Sequence, residues 1–88
     1  MKIEFLSKFR KDLESIDDVR LHHKLLIIIR EIESANKLSD ITNVKKLVGF
    51  KNAYRIKIGE YRIGFYCENG IIELARLVHR KDIYKKFP

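Results

Sequence analysis

Apolar and polar residues alternate along the second half of the chain, as is typical of half-buried strands. The pattern predicts strands over residues 44–48, 53–58, 61–68 and 71–79. Gly59-Glu60 suits a type II′ hairpin turn, and Asn69-Gly70 suits a type I′ turn between the last two strands. The second half is therefore predicted to form an antiparallel meander.

The first half of the chain carries a different, helical spacing. One set of residues at i, i+4, i+7, i+8 and i+11 defines a single buried stripe: Leu21, Leu25, Ile28, Ile29 and Ile32. Asp17 or Asp18 is the predicted cap of this long helix, and Ser7 is the predicted cap of a shorter helix before it. Residues 1–5 alternate only weakly, which gives thin evidence for a short strand.

Two antiparallel helices with one apolar side need a sheet to cover that side. We therefore predict an α+β fold in which an N-terminal helical hairpin packs on an antiparallel β-sheet meander. The length of 88 residues and the absence of a linker-like segment predict a single domain over residues 1–88.

The predicted hairpin at Gly59-Glu60 gathers cations on one side of the sheet. Its register puts Lys57 opposite Arg62 and Arg55 opposite Gly64, so these three cations share what we call the cationic face. Like charges directly opposite each other are destabilising, which favours an anionic ligand that neutralises them. An ordinary solvated strand face is the alternative interpretation.

Continuing the alternation through the second hairpin puts Tyr66 and His79 on the cationic face as well. The same register puts Arg76 among the apolar residues, where it needs a partner such as Glu14 or Glu31. A bulge near Arg76 would instead turn it to the cationic face. We favour the ion pair.

Composition narrows the partners and the chemistry. Lys plus Arg number 19 against 12 for Asp plus Glu, a net charge of +7 that favours nucleic acid or an acidic protein segment. With Cys67 alone, no disulfide or zinc set is expected, which is typical of a reducing compartment, so we expect a cytoplasmic protein. The apolar run at residues 25–29 is too short to span a bilayer, and no export signal is visible.

Several catalytic signatures are missing from the sequence. It has no Walker loop, GxSxG elbow, HExxH motif or paired carboxylates, which gives no support to nucleotide hydrolysis, esterase chemistry or zinc catalysis. We predict no metal and no cofactor.

Three sequence elements, in this order, resemble the RelE/ParE superfamily of toxins from type II toxin-antitoxin modules. They are LVG at residues 47–49, YRIKIGEYRIGF at 54–65 and LVHRKDIYKKF at 77–87. The resemblance spans essentially the whole chain. It implies two N-terminal helices on an antiparallel sheet and, for RelE-type members, metal-independent cleavage of messenger RNA in the ribosomal decoding site.

The resemblance also implies roles for individual residues. Arg55 and Lys57 match the paired basic positions of the first hairpin strand, and Arg62 matches the arginine of the second. Tyr84 matches the aromatic residue near the C-terminus, and Arg80 matches a C-terminal basic residue.

Metal-free cleavage lets the RNA 2′-hydroxyl attack the adjacent phosphorus, which requires in-line positioning, stabilisation of negative charge and proton transfer. The cations of the cationic face are suited to stabilise this negative charge. His79 suits proton transfer because histidine changes charge near neutral pH, with Lys57 as the alternative base. A strand-end histidine that only accepts or donates a structural hydrogen bond is an equally open interpretation. Tyr84 or Tyr66 suits stacking on a base.

The resulting hypothesis is a toxin endoribonuclease with two sets of site residues. The catalytic set is Arg55, Lys57, Arg62, His79, Arg80 and Tyr84. The RNA-binding set is Arg55, Lys57, Arg62, Tyr66 and Arg80. Expected partners are messenger RNA, the ribosome and an acidic antitoxin that is partly disordered when free. The alternatives are a ParE-like inhibitor of DNA gyrase and a noncatalytic RNA-binding or ribosome-binding module.

Overall fold

The computed structural model describes residues 1–88 and contains one five-stranded sheet with its two longer helices on one side. Its elements, in chain order, are β1 (Lys2–Phe5), α1 (Ser7–Ser15), α2 (Val19–Ser34), a 3₁₀ turn (Leu38–Asp40), β2 (Val44–Lys46), β3 (Ala53–Ile58), β4 (Tyr61–Glu68), β5 (Ile71–His79) and α3 (Ile83–Lys86). The spatial order of the strands is β1-β5-β4-β3-β2. The α+β class and the meander of β2 to β5 are confirmed.

The N-terminus departs from the predicted helical hairpin, because the chain begins with a strand. β1 pairs in parallel with the first half of β5, from Lys2 opposite Ile71 to Phe5 opposite Leu74. The sheet is therefore mixed, and the prediction of a purely antiparallel meander was wrong at this edge. This pairing joins residues far apart in sequence. It forms because β5 would otherwise present an unpaired edge, which β1 covers.

Side-chain capping begins the long helix where the sequence predicted it. An Asp18 side-chain oxygen accepts hydrogen bonds from the backbone N–H groups of Arg20 at 3.0 Å and Leu21 at 3.2 Å. These bonds satisfy two of the free donors at the start of α2. The predicted cap at Ser7 was wrong, since Ser7 is the first residue of α1 and Leu6 occupies the N-cap without a side-chain bond.

The helical stripe packs on one face of the sheet and forms the main core. Leu21, Leu25 and Ile32 of α2 are buried there together with Phe9 of α1. The strands contribute Ile56, Ile58, Ile63, Phe65, Ile72, Leu74 and Leu77. Burial of this apolar surface is the main force that holds the helices to the sheet.

Both hairpin turns adopt the predicted backbone conformations. Gly59 has φ of +58° whereas Glu60 is not left-handed, as a type II′ turn requires. Asn69 and Gly70 have φ of +52° and +76°, the two positive values of a type I′ turn. The first hairpin therefore has the predicted register, with Lys57 opposite Arg62.

A β-bulge changes the register of the second hairpin. Phe65 pairs with Leu74 but Gly64 pairs with Arg76, so Ala75 is an extra residue on β5. Every residue after it is shifted by one position and faces the opposite way from the prediction. Leu77 enters the main core, and His79 lies opposite Tyr61 on the helix-covered face. The prediction that His79 shares the cationic face was wrong.

The C-terminal segment covers part of the sheet face opposite the main helices. Ile83 and Phe87 are buried against Leu47, Ala53, Ala75 and Val78 in a second apolar cluster. The Phe87 ring lies directly on Gly64, where an added Cβ would come within 2.5 Å of the ring. Glycine is required here because only a residue without a side chain leaves room for the ring.

Candidate functional site

The strands place the three cations of the cationic face side by side. Arg55 and Lys57 project from β3, and Arg62 projects from β4 directly opposite Lys57. Burial lowers the pKa of the Arg62 guanidinium, and the positive charges of Arg55 and Arg80 lower that pKa further. Glu60 and Tyr84 act in the opposite direction. Arginine stays protonated despite such shifts, so its charge is held in an unfavourable field that a bound anion would relieve.

Backbone carbonyls, rather than a carboxylate, hold the Arg62 side chain. Its Nη1 donates hydrogen bonds to the carbonyl oxygens of Gly59 at 3.0 Å and Tyr61 at 2.8 Å. No carboxylate forms an ion pair with Arg62. The guanidinium is thus oriented by the hairpin turn, while its charge is not neutralised by a direct partner.

The segment after β5 brings Arg80 to the same turn. The Arg80 backbone N–H donates to the Glu60 carbonyl oxygen at 2.8 Å, and Arg80 Nε lies 3.0 Å from Glu60 Oε2. Both side chains of this ion pair are largely exposed to solvent. Arg80 therefore joins the cationic face through tertiary contacts with a turn that lies far from it in sequence.

Tyr84 lies on the short helix α3 and points outward. Its neighbours Ile83 and Phe87 are 1% and 3% exposed, whereas Tyr84 is 67% exposed. A helix of one turn is not stable by itself, so its position depends on these two buried anchors. From this position the Tyr84 hydroxyl raises the pKa of the Arg62 guanidinium, against the larger effects that lower it.

His79 belongs to the turn that follows β5 and does not lie on the cationic face. Its ring packs edge-on against Tyr61 with centroids 5.8 Å apart. Its Nδ1 accepts a hydrogen bond from the Lys81 backbone N–H at 3.2 Å. This arrangement matches the structural interpretation of a strand-end histidine.

Tyr66 lies on the predicted face but away from the cations. Along β4 the residue between Tyr66 and Arg62 on this face is Gly64, and Phe87 covers it. The Tyr66 ring packs against Phe87 with centroids 5.1 Å apart. The structure therefore does not bring Tyr66 together with Arg62, because the C-terminal segment separates them.

Arg76 forms the ion pair that the sequence predicted, with a different partner. Its Nε donates to Asp12 Oδ2 at 2.8 Å and its Nη2 donates to Asp12 Oδ1 at 3.2 Å. Asp12 lies on α1, so the suggested partners Glu14 and Glu31 were wrong. The hydrogen bond to Asp12 raises the pKa of Arg76. The bulge near Arg76 is also present and turns Arg76 to the cationic face, so its predicted position among the apolar residues was wrong.

The segment from β2 to the β2–β3 loop adds residues near the site that were not among the predicted site residues. Lys45 on β2 lies opposite Arg55 and extends the row of cations to the sheet edge. Val48 and Phe50 are exposed at the loop, beside a cleft of about 340 Å³ that Tyr84 also lines. The signal available in the sequence was the run KKLVGFK, in which apolar residues lie between lysines.

Two further observations concern the chain as a whole. No three His, Cys, Asp or Glu side chains gather where they could hold a metal ion. No helix has the length and apolar character needed to cross a membrane.

A small basic α+β domain with a cationic sheet face fits the toxin class that the sequence motifs suggested, and comparison with known proteins confirms it. The family model for the ParE toxin of the type II toxin-antitoxin system, parDE, matches residues 3–84. The chain belongs to this family and is a type II toxin of the RelE/ParE superfamily.

Individual relatives agree with this assignment. Toxin RelE3 of Methanocaldococcus jannaschii is 38% identical over 89 residues, which cover 100% of both chains. A chain of the RelB-RelE antitoxin-toxin complex from Methanococcus jannaschii matches with a TM-score of 0.80 at 36% identity, over 96% of this chain and 98% of that one. The YoeB dimer from Staphylococcus aureus, at 19% identity, supports the fold alone, with a TM-score of 0.74 over 91% of this chain and 97% of that one.

Proposed function

We propose that this type II toxin is an endoribonuclease that cleaves messenger RNA on the ribosome without a metal and so inhibits translation. The observation that carries the proposal is the convergence of Arg55, Arg62 and Arg80 from three separate segments, with the exposed Tyr84 near enough to act on the pKa of Arg62. Only one carboxylate, that of Glu60, is near enough to Arg62 to act on its pKa. The name of the relative Toxin RelE3 supports the same activity.

The proposed reaction is transfer within the RNA chain. The 2′-oxygen forms a bond to phosphorus as the bond from phosphorus to the 5′-oxygen breaks, which leaves a 2′,3′-cyclic phosphate and a 5′-hydroxyl. Negative charge grows on the phosphoryl oxygens in the transition state. Arg55, Arg62 and Arg80 would stabilise that charge with charge-assisted hydrogen bonds. Tyr84 would stack on an adjacent base and so position the nucleotide.

We propose that Lys57 acts as the general base and removes the proton of the 2′-hydroxyl. Lys57 lies directly opposite Arg62, and its amine is exposed on the cationic face, where it can reach a nucleotide bound by the arginines. The departing 5′-oxygen would take a proton from solvent, to which this face is open. His79 has no part in this proposal because it lies on the helix-covered face.

We also propose a cognate antitoxin as partner. Relatives of this fold are found in RelB-RelE and RelE-RelB complexes from two archaea. A net charge of +7 and an open cationic face favour an acidic antitoxin that is partly disordered when free and folds on binding. Such a partner would cover the cationic face and block access to RNA.

Inhibition of DNA gyrase is the second candidate, since the matching family model is described as a ParE toxin. A protein that acts on gyrase by surface contact has no need for Arg55, Arg62 and Arg80 to come together with Glu60 as the one nearby carboxylate. A noncatalytic RNA-binding module would use the same cations without proton transfer.

Induced expression in a bacterial host separates these candidates. We would compare the wild type with Arg62→Ala and with Arg30→Ala, an exposed arginine on α2 that serves as the matched control. New 5′ ends in an abundant messenger RNA would be mapped by primer extension. Growth arrest with discrete cuts in translated regions, present in Arg30→Ala and absent in Arg62→Ala, is the expected result.

Other outcomes would reject the ribonuclease. Growth arrest without cuts, unchanged in Arg62→Ala, would favour gyrase inhibition. Arrest without cuts that does depend on Arg62 would favour the noncatalytic RNA-binding module.

A further inference from the structure

Arg80, one of the cations of the proposed site, lies in a tight turn that His79 closes. The Asp82 backbone N–H donates to the His79 carbonyl oxygen at 2.8 Å, which makes residues 79–82 a β-turn with Arg80 at its second position. The His79 ring adds a second bond inside this turn, because its Nδ1 accepts the Lys81 backbone N–H at 3.2 Å. A single residue therefore bridges the backbone on both sides of Arg80.

The same turn is attached to the hairpin between β3 and β4. The Arg80 backbone N–H donates to the Glu60 carbonyl oxygen at 2.8 Å, and Arg80 Nε lies 3.0 Å from Glu60 Oε2. The His79 ring packs edge-on against Tyr61, whose carbonyl oxygen accepts a hydrogen bond from Arg62 Nη1 at 2.8 Å. From the helix-covered face, His79 thus contacts both segments that orient the arginines of the cationic face.

The bond to Lys81 requires one protonation state of the imidazole ring. An N–H group donates only to a ring nitrogen that carries no proton, so the neutral ring must carry its proton on Nε2. A second proton, on Nδ1, would place two donors against each other and break the bond. The turn around Arg80 would then be held by main-chain bonds alone.

We propose that His79 is a positioning residue for Arg80, and that its Nδ1 must be unprotonated for Arg80 to be held where RNA phosphate binds. The role belongs to the acceptor atom and involves no proton transfer to RNA, since the ring lies on the face opposite the cations. Histidine ordinarily gains its second proton just below neutral pH, so acid should loosen Arg80 and slow cleavage. The effect on cleavage rests on the proposed function, whereas the geometry of the turn does not.

Other ionisable groups lie around His79, and their charges must be distinguished from its own. Its ring meets the phenol of Tyr61 on β4. The remaining groups are Glu60 of the hairpin turn, Arg80, Lys81 and Asp82 of its own segment, Asp12 of α1, and Asp18, Arg20 and Lys24 of α2, which line a cleft against Tyr61. Carboxylates, phenols, lysines and arginines ordinarily keep one charge state between about pH 6 and pH 7.5. Histidine is the side chain that changes charge in this range.

Two substitutions separate the acceptor atom from the aromatic ring. His79→Asn supplies a side-chain oxygen that accepts the Lys81 N–H whatever the pH, as in an Asx turn, but removes the ring. His79→Phe keeps a ring against Tyr61 and has no acceptor. In a purified translation system at about pH 7.5, His79→Asn should cleave messenger RNA within about 3-fold of the wild type, whereas His79→Phe should be about 3- to 10-fold slower.

The pH profile is the readout that a merely structural role would not move. At about pH 6.0 the wild type should lose about 2- to 3-fold relative to His79→Asn, whereas the ratio of His79→Phe to His79→Asn should stay constant. Rates relative to His79→Asn cancel the effects of pH on the ribosome and on the rest of the toxin. His23→Asn, at an exposed site on α2, is the matched control and should keep the wild-type profile. Circular dichroism would verify that all variants are folded at both pH values.

Nitrogen NMR of the protein without RNA tests the turn independently of cleavage. In the neutral ring of His79, Nδ1 should be the unprotonated nitrogen and Nε2 the protonated one. On acidification of the wild type, the backbone amide signals of Arg80 and Lys81 should shift with the same midpoint as the ring. In His79→Asn these amide signals should not shift.

The opposing outcomes are distinct. A neutral ring protonated on Nδ1, or equal cleavage by His79→Phe and the wild type at both pH values, would overturn the inference. Equal losses in His79→Asn and His79→Phe would also overturn it, because ring packing and not the acceptor would then be responsible. If no protein cuts RNA at either pH, the proposed nuclease is rejected, and the NMR signals of His79 and Arg80 decide the inference alone.

Discussion

Arg62 and Arg76 lie on the same face of the sheet, on neighbouring strands, and both are half-buried. Arg76 forms a two-point ion pair with Asp12, and the hydrogen bond raises its pKa. Arg62 has only backbone acceptors, and its burial with neighbouring cations lowers its pKa. The two arginines therefore have opposite electrostatic surroundings within one face.

The difference separates a structural cation from a cation available to a ligand. Asp12 also accepts the backbone N–H of Leu77 at 2.9 Å, so its carboxylate ties α1 to the part of β5 that β1 leaves unpaired. Arg76 completes that contact at the sheet edge. The charge of Arg62 has no such internal partner, which leaves it free to bind an anion.

The largest expected difference between the two arginines is in RNA cleavage. Arg62→Ala should lower the cleavage rate in a purified translation system about 100- to 1,000-fold, because one donor to the transition-state charge is lost. Arg76→Ala should stay within about 3-fold of the wild type. Equal losses in the two variants, at equal folded fractions, would remove the distinction between them.

The free energy of unfolding should depend on the contact of Arg76 with Asp12 more than on Arg62. Asp12→Ala leaves both Arg76 and the Leu77 N–H without their partner, so the free energy of unfolding should fall by about 2 to 3 kcal/mol. Urea denaturation followed by circular dichroism measures this change. The control Asp17→Ala, at an exposed site before α2, should change it by less than about 0.5 kcal/mol. A loss for Asp12→Ala no larger than this control would show that the contact does not stabilise the edge.

The contact between Gly64 and Phe87 separates the Arg62 end of the face from the Tyr66 end. Gly64→Ala should reduce the free energy of unfolding by about 1 to 3 kcal/mol, because its Cβ would overlap the Phe87 ring. It should also reduce cleavage, since a displaced Phe87 no longer anchors Tyr84. Thermal melting and cleavage would be measured for Gly64→Ala in wild-type and Phe87→Leu backgrounds. A full-sized penalty in the smaller Leu background would contradict overlap with the ring as the cause.

The smallest effect concerns the exposed carboxylate near Arg62. Glu60→Gln removes the ion pair with Arg80, whose members are exposed, so the free energy of unfolding should change by less than about 0.5 kcal/mol. Cleavage should stay the same or rise up to about 3-fold, because Glu60 no longer competes with RNA phosphate for Arg80. Cleavage rates at two salt concentrations would be compared with those of Glu68→Gln, at an exposed site on the distant end of β4. A drop of more than about 10-fold would instead give Glu60 a part in the reaction.

Local patterns predicted most of the secondary structure and one part of the site. β3, β4 and β5 have the predicted bounds, and both turns have the predicted type, because alternation and turn chemistry act between residues close in sequence. The same short-range logic placed Arg55, Lys57 and Arg62 together across a two-residue turn. Recognition of the RelE/ParE superfamily likewise depended on motifs visible in the chain.

Contacts between distant residues decided the rest. A bulge at Ala75 cannot be read from alternation, yet its one extra residue moved His79 to the opposite face. Asp12 forms a hydrogen bond with Arg76, 64 residues away in sequence, and β1 pairs with the open edge of β5. The C-terminal segment, through Phe87 on Gly64, separated Tyr66 from Arg62 and brought Tyr84 near enough to act on the pKa of Arg62.

The sequence by itself determined the fold class, the toxin superfamily and the three cations of one hairpin, since each is encoded in short-range periodicity or in contiguous motifs. Tertiary structure alone decided which arginine is neutralised, which aromatic ring accompanies the cations and where the cleft at Phe50 lies. Those choices depend on packing between segments far apart in the chain, where a shift of one residue reverses the direction of a side chain.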